Sequence, residues 1–145
     1  MITEIEQETS DIEWFFTNGE YIGFVASGGG KLPSSVSCKS IEEIEFLAHY
    51  FKDLPKVTEA LINLNSRGSK NNAEYLSYFV GMTSKGLFSF DKSRLNNFSD
   101  MNYQLITQPL NPLKLSNLPL EIANLIADTK IKGDIGEHLN VNQDL

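Results

Sequence analysis

The first pattern of apolar and polar positions along the chain predicts a β-hairpin. The runs IEWFF and YIGFVA flank Asn18 and Gly19. Asn-Gly is the pair that most readily takes the positive φ angles of a type I′ turn, so we expect two antiparallel strands joined there. Three glycines, which favour a loop, then lead the chain out of the second strand into LPSSVSCK.

Helical spacing begins at Ser40, which forms a capping box with Glu43. The apolar positions that follow lie on one face, and they are Ile41, Ile44, Leu47, Ala48 and Phe51. This pattern predicts a helix to about Lys52 with its apolar face against the sheet. After Pro55 the same spacing resumes in Val57, Ala60, Leu61 and Leu64, which predicts a second helix paired with the first.

The second half of the chain predicts a loop, two helices and two strands. The polar segment 66–72 is typical of an exposed loop. The segment after it, AEYLSYFVGMTS, suits a helix or a strand, and we favour the helix. LFSFD and YQLITQP predict two strands paired antiparallel. SNLPLEIANLIADT predicts a last helix, capped by Ser116 or Asn117 with Pro119 in its first turn.

These elements predict an α+β fold, a small antiparallel sheet built from hairpins and packed against three to four helices. A chain of 145 residues suits a single domain, 1–145. Within it we expect the acidic leader, 1–11, and the polar tail, 133–145, to be loose.

The charge balance narrows the class of partner. Nineteen acidic against twelve basic residues give a net charge of −7. Such a field repels nucleic acid and anionic lipid and attracts basic partners, so we expect neither nucleic-acid nor membrane binding. The single cysteine, Cys38, cannot form an internal disulfide, and no apolar run approaches the roughly 18 residues of a membrane span. We therefore expect a cytoplasmic protein.

The glycine-rich stretch FVASGGGKLPSSV raises the question of a phosphate site. A Walker loop requires glycine where Val25 stands and Ser or Thr where Leu32 stands. The dinucleotide pattern fails as well, because the glycines are contiguous and Pro33 precedes any helical spacing. A loop that leaves a strand is the favoured interpretation. An anion site at 28–31, with Lys31 as its charge partner, is the alternative.

No constellation of catalytic residues is visible in the sequence. The two histidines, His49 and His138, lie in no recognisable pattern, and Cys38 has no companion ligand for zinc. We accordingly predict no catalytic, metal-binding or cofactor-binding residue and no enzymatic activity.

One surface suits a macromolecular partner. On a helical wheel, Phe46 and Tyr50 flank the apolar stripe of the helix that begins after Ser40. The polar residues beside these rings are Glu42, Glu43, Glu45 and His49. Aromatic rings among carboxylates are typical of surfaces that bind basic proteins, so we predict these six residues as a partner-binding site. The alternative is that both rings pack under neighbouring loops.

The order of motifs resembles a known class of small bacterial proteins. WFFTNGEYIGFVASGGGKLPSSV, the capped helix, SKGLFSFD, YQLITQP and PLKLSNLP resemble immunity-type proteins of polymorphic or contact-dependent toxin systems over roughly Ile12 to Ala127. The resemblance implies a non-enzymatic, cytoplasmic inhibitor that binds one cognate toxin domain and blocks its active site; a basic domain, for example that of a nuclease, would suit the acidic charge of the chain. Two alternatives stay open: a protein-binding adaptor, and a small enzyme that uses the glycine loop.

Overall fold

The structure is a computed structural model, and it describes residues 1–65 and 73–145. The strands are β1 Glu13–Thr17, β2 Ile22–Ala26, β3 Ala60–Ile62, β4 Phe88–Lys92, β5 Asn102–Pro109 and β6 His138–Asn140. The α-helices are α1 Glu4–Thr9, α2 Ser34–Ser37, α3 Ile41–Asp53, α4 Ala73–Thr83, α5 Leu120–Ala127 and α6 Val141–Asp144, and a 3₁₀ turn spans Leu115–Asn117. The loop expected at 66–72 lies outside the described residues.

The strands form one mixed sheet in the order β1-β2-β4-β5-β3, with β6 also paired to β5. The predicted α+β class, a small sheet packed against helices, is confirmed. The sheet differs from the expected antiparallel one in a single pair, because β2 and β4 run parallel. A parallel pair requires a long crossover, and the segment between β2 and β4 supplies it with α2, α3 and α4.

Both faces of the sheet are covered. One face packs against α3, α4 and α5 through a cluster that includes Phe15, Phe24, Phe51, Phe79 and Ile126. The opposite face packs against the N-terminal segment, α2 and the C-terminal segment through Ile2, Trp14, Phe16, Phe90, Tyr103 and Val141, among others. A strand buried on both sides has apolar residues at every position, which explains the unbroken runs in β1 and β2.

The hairpin of β1 and β2 is confirmed, although its turn differs from type I′. That turn requires positive φ at both central residues, and only Gly19 of the pair has it, at +97°. Asn18 instead accepts hydrogen bonds through Oδ1 from the amides of Glu20 and Tyr21, at 3.0 and 2.8 Å. Its side chain therefore closes the turn.

Helix α3 is confirmed as predicted. Ser40 Oγ accepts from the Glu43 amide at 3.1 Å, and Glu43 Oε1 accepts from the Ser40 amide at 3.0 Å, which completes the capping box. The stripe meets the sheet, where Phe51 packs against Phe15 with ring centroids 4.6 Å apart. Ile41 is the exception within the stripe, since 39% of it is exposed.

The second helix predicted after Pro55 is wrong. Residues Ala60–Ile62 form β3 and pair antiparallel with β5, and Val57 and Thr58 both donate their amides to the Ser84 carbonyl. Val57 and Leu64 are 64% and 86% exposed. The helical spacing was misleading because β5 offers a sheet edge with which this segment pairs.

Helix α5 forms where expected but begins differently. Pro119 is its N-cap, and Ser116 and Asn117, the predicted caps, lie in the 3₁₀ turn. Ile122 and Ile126 are its buried residues, while Leu120 is 75% exposed.

Both terminal segments contact the rest of the protein, and the looseness expected of 1–11 and 133–145 stays a prediction. Helix α1 has a capping box of its own, formed by Thr3 and Glu6. Ile2 is buried, and its amide donates to the Ser37 carbonyl. At the other end β6 pairs with β5, and Leu139 and Val141 are buried.

Candidate functional site

All six predicted site residues lie on α3, and four of them are exposed on its outward face. Glu42, Glu45, Phe46 and His49 are exposed side by side on it, and we call these four residues the α3 ridge. They share this face because Ile44, Leu47, Ala48 and Phe51 occupy the opposite, buried one. Phe46 is 43% exposed, an unusual placement for a ring that helix packing could have buried.

A groove with an apolar floor lies on one side of the ridge, between α3 and α5. Its lining residues are Glu42, Glu43, Phe46, Glu121, Asn124 and Leu125, and its volume is about 490 Å³. We call it the α3–α5 groove. The Phe46 ring and the Leu125 side chain provide its apolar surface, and the three glutamates provide its charge.

A second groove lies on the other side of the ridge, between α3 and the N-terminal segment. Its volume is about 300 Å³, and we call it the α1–α3 groove. The apolar side chains that line it are Ile12, Ile41, Ile44 and Ala48. The acidic ones are Glu6, Asp11, Glu13 and Glu45.

Four of the six predicted site residues line the two grooves, and His49 and Tyr50 line neither. Glu42, Glu43 and Phe46 line the α3–α5 groove together, whereas Glu45 lines the α1–α3 groove. Tyr50 is half-buried and packs edge-on against Phe51, with ring centroids 5.2 Å apart. This contact lies within α3, so it is not the packing under a neighbouring loop that was the alternative, and a role for Tyr50 in partner binding stays a prediction.

Two parts of this surface were missed in the sequence. Glu121 and Leu125 line the same groove as Phe46 because α5 packs beside α3, and no local pattern predicts that neighbour. The carboxylates of the leader were set aside because the segment was expected to be loose. The capping box of Thr3 and Glu6 was the signal that could have placed a helix there.

The charged side chains that line both grooves are acidic. Four carboxylates line one groove and three the other, and among the described residues neither lining contains a lysine or an arginine. The amide of Ser40, which donates to the Glu43 carboxylate, holds the pKa of Glu43 below its usual value. Glu43 is thus ionised over the whole physiological range.

The glycine loop does not form an anion cradle. The Gly28 amide donates to Asp11 Oδ1 at 2.9 Å, and the Gly30 amide donates to the Ser27 carbonyl at 2.9 Å. These donors are therefore occupied by acceptors of the protein itself. A carboxylate at Gly28 would moreover repel a bound anion.

The glycines serve packing instead. A Cβ atom on Gly30 would lie 2.7 Å from Lys92 Nζ, and one on Gly29 would lie 2.9 Å from the Glu8 carbonyl oxygen. Lys92 is almost fully buried, and its ammonium donates to the Asp100 carbonyl. The loop is thus confined between α1 and a buried lysine, and burial lowers the pKa of that lysine.

The other candidates for an anion site or a metal site are not brought together by the fold. Lys31 lines a separate cleft of about 350 Å³ together with Ser34, Ser35, Asp128 and Lys130, and none of the three glycines is part of that lining. Within residues 1–65 and 73–145, no group of three His, Cys, Asp or Glu side chains is placed to hold a metal ion.

Comparison with protein-family models, with curated proteins and with solved structures finds no match to this chain. Among the described helices, none is both long and apolar enough to cross a bilayer. The functional conclusion consequently rests on the chemistry of the α3 ridge and its two grooves.

Proposed function

We propose that the α3 ridge and its two grooves bind a basic protein, and that this partner is a cognate toxin domain which the chain neutralises. The observation that carries the proposal is the union of seven carboxylates with an exposed phenylalanine on one surface. The resemblance in the order of motifs supports the toxin as the partner. The net charge of −7 is in keeping with a basic one.

The carboxylates and the phenylalanine should contribute differently to binding at such an interface. Carboxylates accelerate the encounter with a basic partner because their field acts beyond contact distance. Phe46 contributes after docking, since burial of its ring in the partner slows dissociation. Inhibition needs nothing more than occupation of the toxin's own basic substrate site.

The test is a charge reversal on the ridge with a matched control elsewhere. The first variant, called the ridge variant, combines Glu42→Lys and Glu45→Lys on the ridge with Glu121→Lys in the adjoining α3–α5 groove. The control combines Glu20→Lys, Glu59→Lys and Asp134→Lys, three exposed acids outside the ridge and both grooves. Both change the net charge equally. We expect the ridge variant alone to slow association with the product of the adjacent gene by roughly tenfold or more at low salt.

A growth assay completes the test. Cells that express the adjacent gene product should survive with the wild-type chain and with the control variant, and should die with the ridge variant. Equal association rates for all three proteins would reject the α3 ridge as the contact surface. Full toxicity in the presence of the wild-type chain would reject neutralisation.

A further inference from the structure

Strand β3 lies at one end of the sheet, and one of its two edges is occupied by β5. The Leu110 amide donates to the Glu59 carbonyl, and the Asn63 amide donates to the Ile106 carbonyl. Glu59 and Asn63 therefore direct their backbone groups at β5. Leu61, midway between them, does the same, because alternate residues of an antiparallel strand face the same neighbour.

The outer edge of β3 belongs to the residues between these three. The alternation turns the amides and carbonyls of Ala60 and Ile62 away from β5. Within residues 1–65 and 73–145, no strand pairs with β3 on that side. Ala60 is half-buried and Ile62 is 44% exposed, so the strand lies at the surface. An exposed strand edge of this kind is a template for pairing with another strand.

The side chains around this edge are apolar and carry little charge. Segment 57–65 contains a single charged residue, Glu59. Five large apolar residues on or beside the strand are 42–86% exposed, and they are Val57, Leu61, Ile62, Leu64 and Leu110. A basic partner of the kind that suits the α3 ridge finds almost no opposite charge here. The edge therefore suits a strand that is itself apolar and nearly uncharged.

We propose that this strand is β3 of a second copy of the chain, paired antiparallel about a two-fold axis at Leu61. In this register Ala60 of one copy faces Ile62 of the other, and each donates its amide to the carbonyl opposite. The two Leu61 side chains meet at the axis as a non-hydrogen-bonded pair, the kind that brings side chains closest. Glu59 faces the uncharged Asn63 of the other copy, so no like charges are opposed.

The size of the interface predicts a weak dimer. Stable interfaces bury about 800 Å² per partner and involve about 20–30 residues a side, whereas smaller ones are typical of transient complexes. Strand β3 has three residues, and the exposed apolar side chains around it are few. We therefore expect a dissociation constant of roughly 10–100 μM. The dimer is independent of the proposed function, because no residue of the α3 ridge takes part in it.

Two charge variants at the axis test the register. Leu61→Lys and Leu61→Glu each oppose like charges across the two-fold axis and remove the leucine pair, so each alone should weaken the dimer by about tenfold or more. Mixed in equal amounts, they oppose unlike charges and should pair at least about fivefold more tightly than either variant alone. Sedimentation equilibrium of the full-length chain at about 20–500 μM measures the association. Ile5→Lys, at an exposed apolar position of α1, is the control for added charge and should dimerise like the wild type.

A proline variant tests the backbone pairing. Ile62→Pro removes an outward amide and no hydrogen bond to β5, so the chain should stay folded and lose the dimer. Ile62→Val keeps that amide and should dimerise like the wild type. Should Ile62→Pro unfold the chain, the mixture of the two Leu61 variants still decides the question.

Two results would overturn the proposal. One is a mixture of Leu61→Lys and Leu61→Glu that associates no better than either variant alone. The other is a wild-type chain that stays monomeric up to about 500 μM, which would leave the edge of β3 to a strand of another protein. Neither result bears on toxin binding by the α3 ridge.

Discussion

Helices α1 and α3 begin with the same local arrangement but are attached to the molecule by different chemistry. Each starts with a capping box, Thr3 with Glu6 and Ser40 with Glu43. Helix α3 then buries four apolar side chains, while the only buried residue of α1 is Gln7. A cap therefore indicates where a helix starts, and the residues that follow decide what holds it in place.

The attachment of α1 is made by polar groups. Gln7 donates through Nε2 to the Ile2 carbonyl at 3.0 Å and accepts through Oε1 from the Leu32 amide at 2.9 Å. Asp11 accepts from the Gly28 amide, just beyond the helix. Contacts of this kind depend on the geometry of distant backbone, so they leave no periodic pattern in the sequence.

The largest effect on stability should follow from removing the apolar contact that holds α3 against the sheet. Phe51 is fully buried against Phe15. We expect Phe51→Ala to lower the free energy of unfolding by about 3–5 kcal/mol through lost burial and a cavity. Urea denaturation measures it. Phe46→Ala, on the exposed side of the same helix, should change stability by no more than about 0.5 kcal/mol. Similar losses for both would mean that α3 is not oriented as described.

The next effect concerns the loop on which α1 rests. Gly30→Ala would place a Cβ 2.7 Å from Lys92 Nζ and 2.9 Å from the Ser27 carbonyl, so we expect a loss of about 2 kcal/mol. Gly81→Ala is the matched control, because it has no neighbour within 4 Å and lies within α4. There alanine should stabilise the chain by about 0.5–1 kcal/mol. The same sign for both substitutions would contradict the close packing of the loop.

A smaller loss of stability, confined mainly to α1, should follow from removing the hydrogen bonds that hold this helix in place. Gln7→Ala removes both hydrogen bonds of that side chain and should lower the free energy of unfolding by about 1–2 kcal/mol. Hydrogen exchange should show faster exchange of the amides in 4–9 with little change in β1 and β2. Glu8→Ala, on the exposed side, should leave exchange unaltered. Uniformly faster exchange would show that α1 unfolds only together with the core.

The same contrast explains how much of the molecule could be predicted from its sequence. Helix α3 and the first hairpin follow from a capping box, an apolar stripe and an Asn-Gly pair, all of which are local. The stripe at Val57, Ala60, Leu61 and Leu64 looked equally convincing, yet an open sheet edge decided its conformation. The parallel pairing of β2 with β4 and the shared groove of Glu121 and Phe46 depend on contacts between distant segments, which no window of sequence contains.

The smallest effect concerns the capping box of α3 and depends on pH. The pKa of Glu43 is lower in the folded chain than its ordinary value of 4.5, because its carboxylate accepts from the Ser40 amide. A lowered folded pKa stabilises the fold at pH above 4.5, and this contribution is lost as pH falls through the folded pKa. In Glu43→Gln the amide keeps the cap but does not titrate.

The wild-type chain should therefore be more stable than Glu43→Gln at pH 7, and the difference should shrink as the pH is lowered from 4.5. Urea midpoints at several pH values measure this difference. Glu42→Gln removes the same charge from the same turn but outside the box, and it is the control for the loss of a negative charge near the helix start. If the stability difference between the wild type and Glu43→Gln did not change with pH, the Glu43 carboxylate would not accept a hydrogen bond from the Ser40 amide. The starts of α1 and α3 would then share the residue types of a capping box but not its hydrogen bonds.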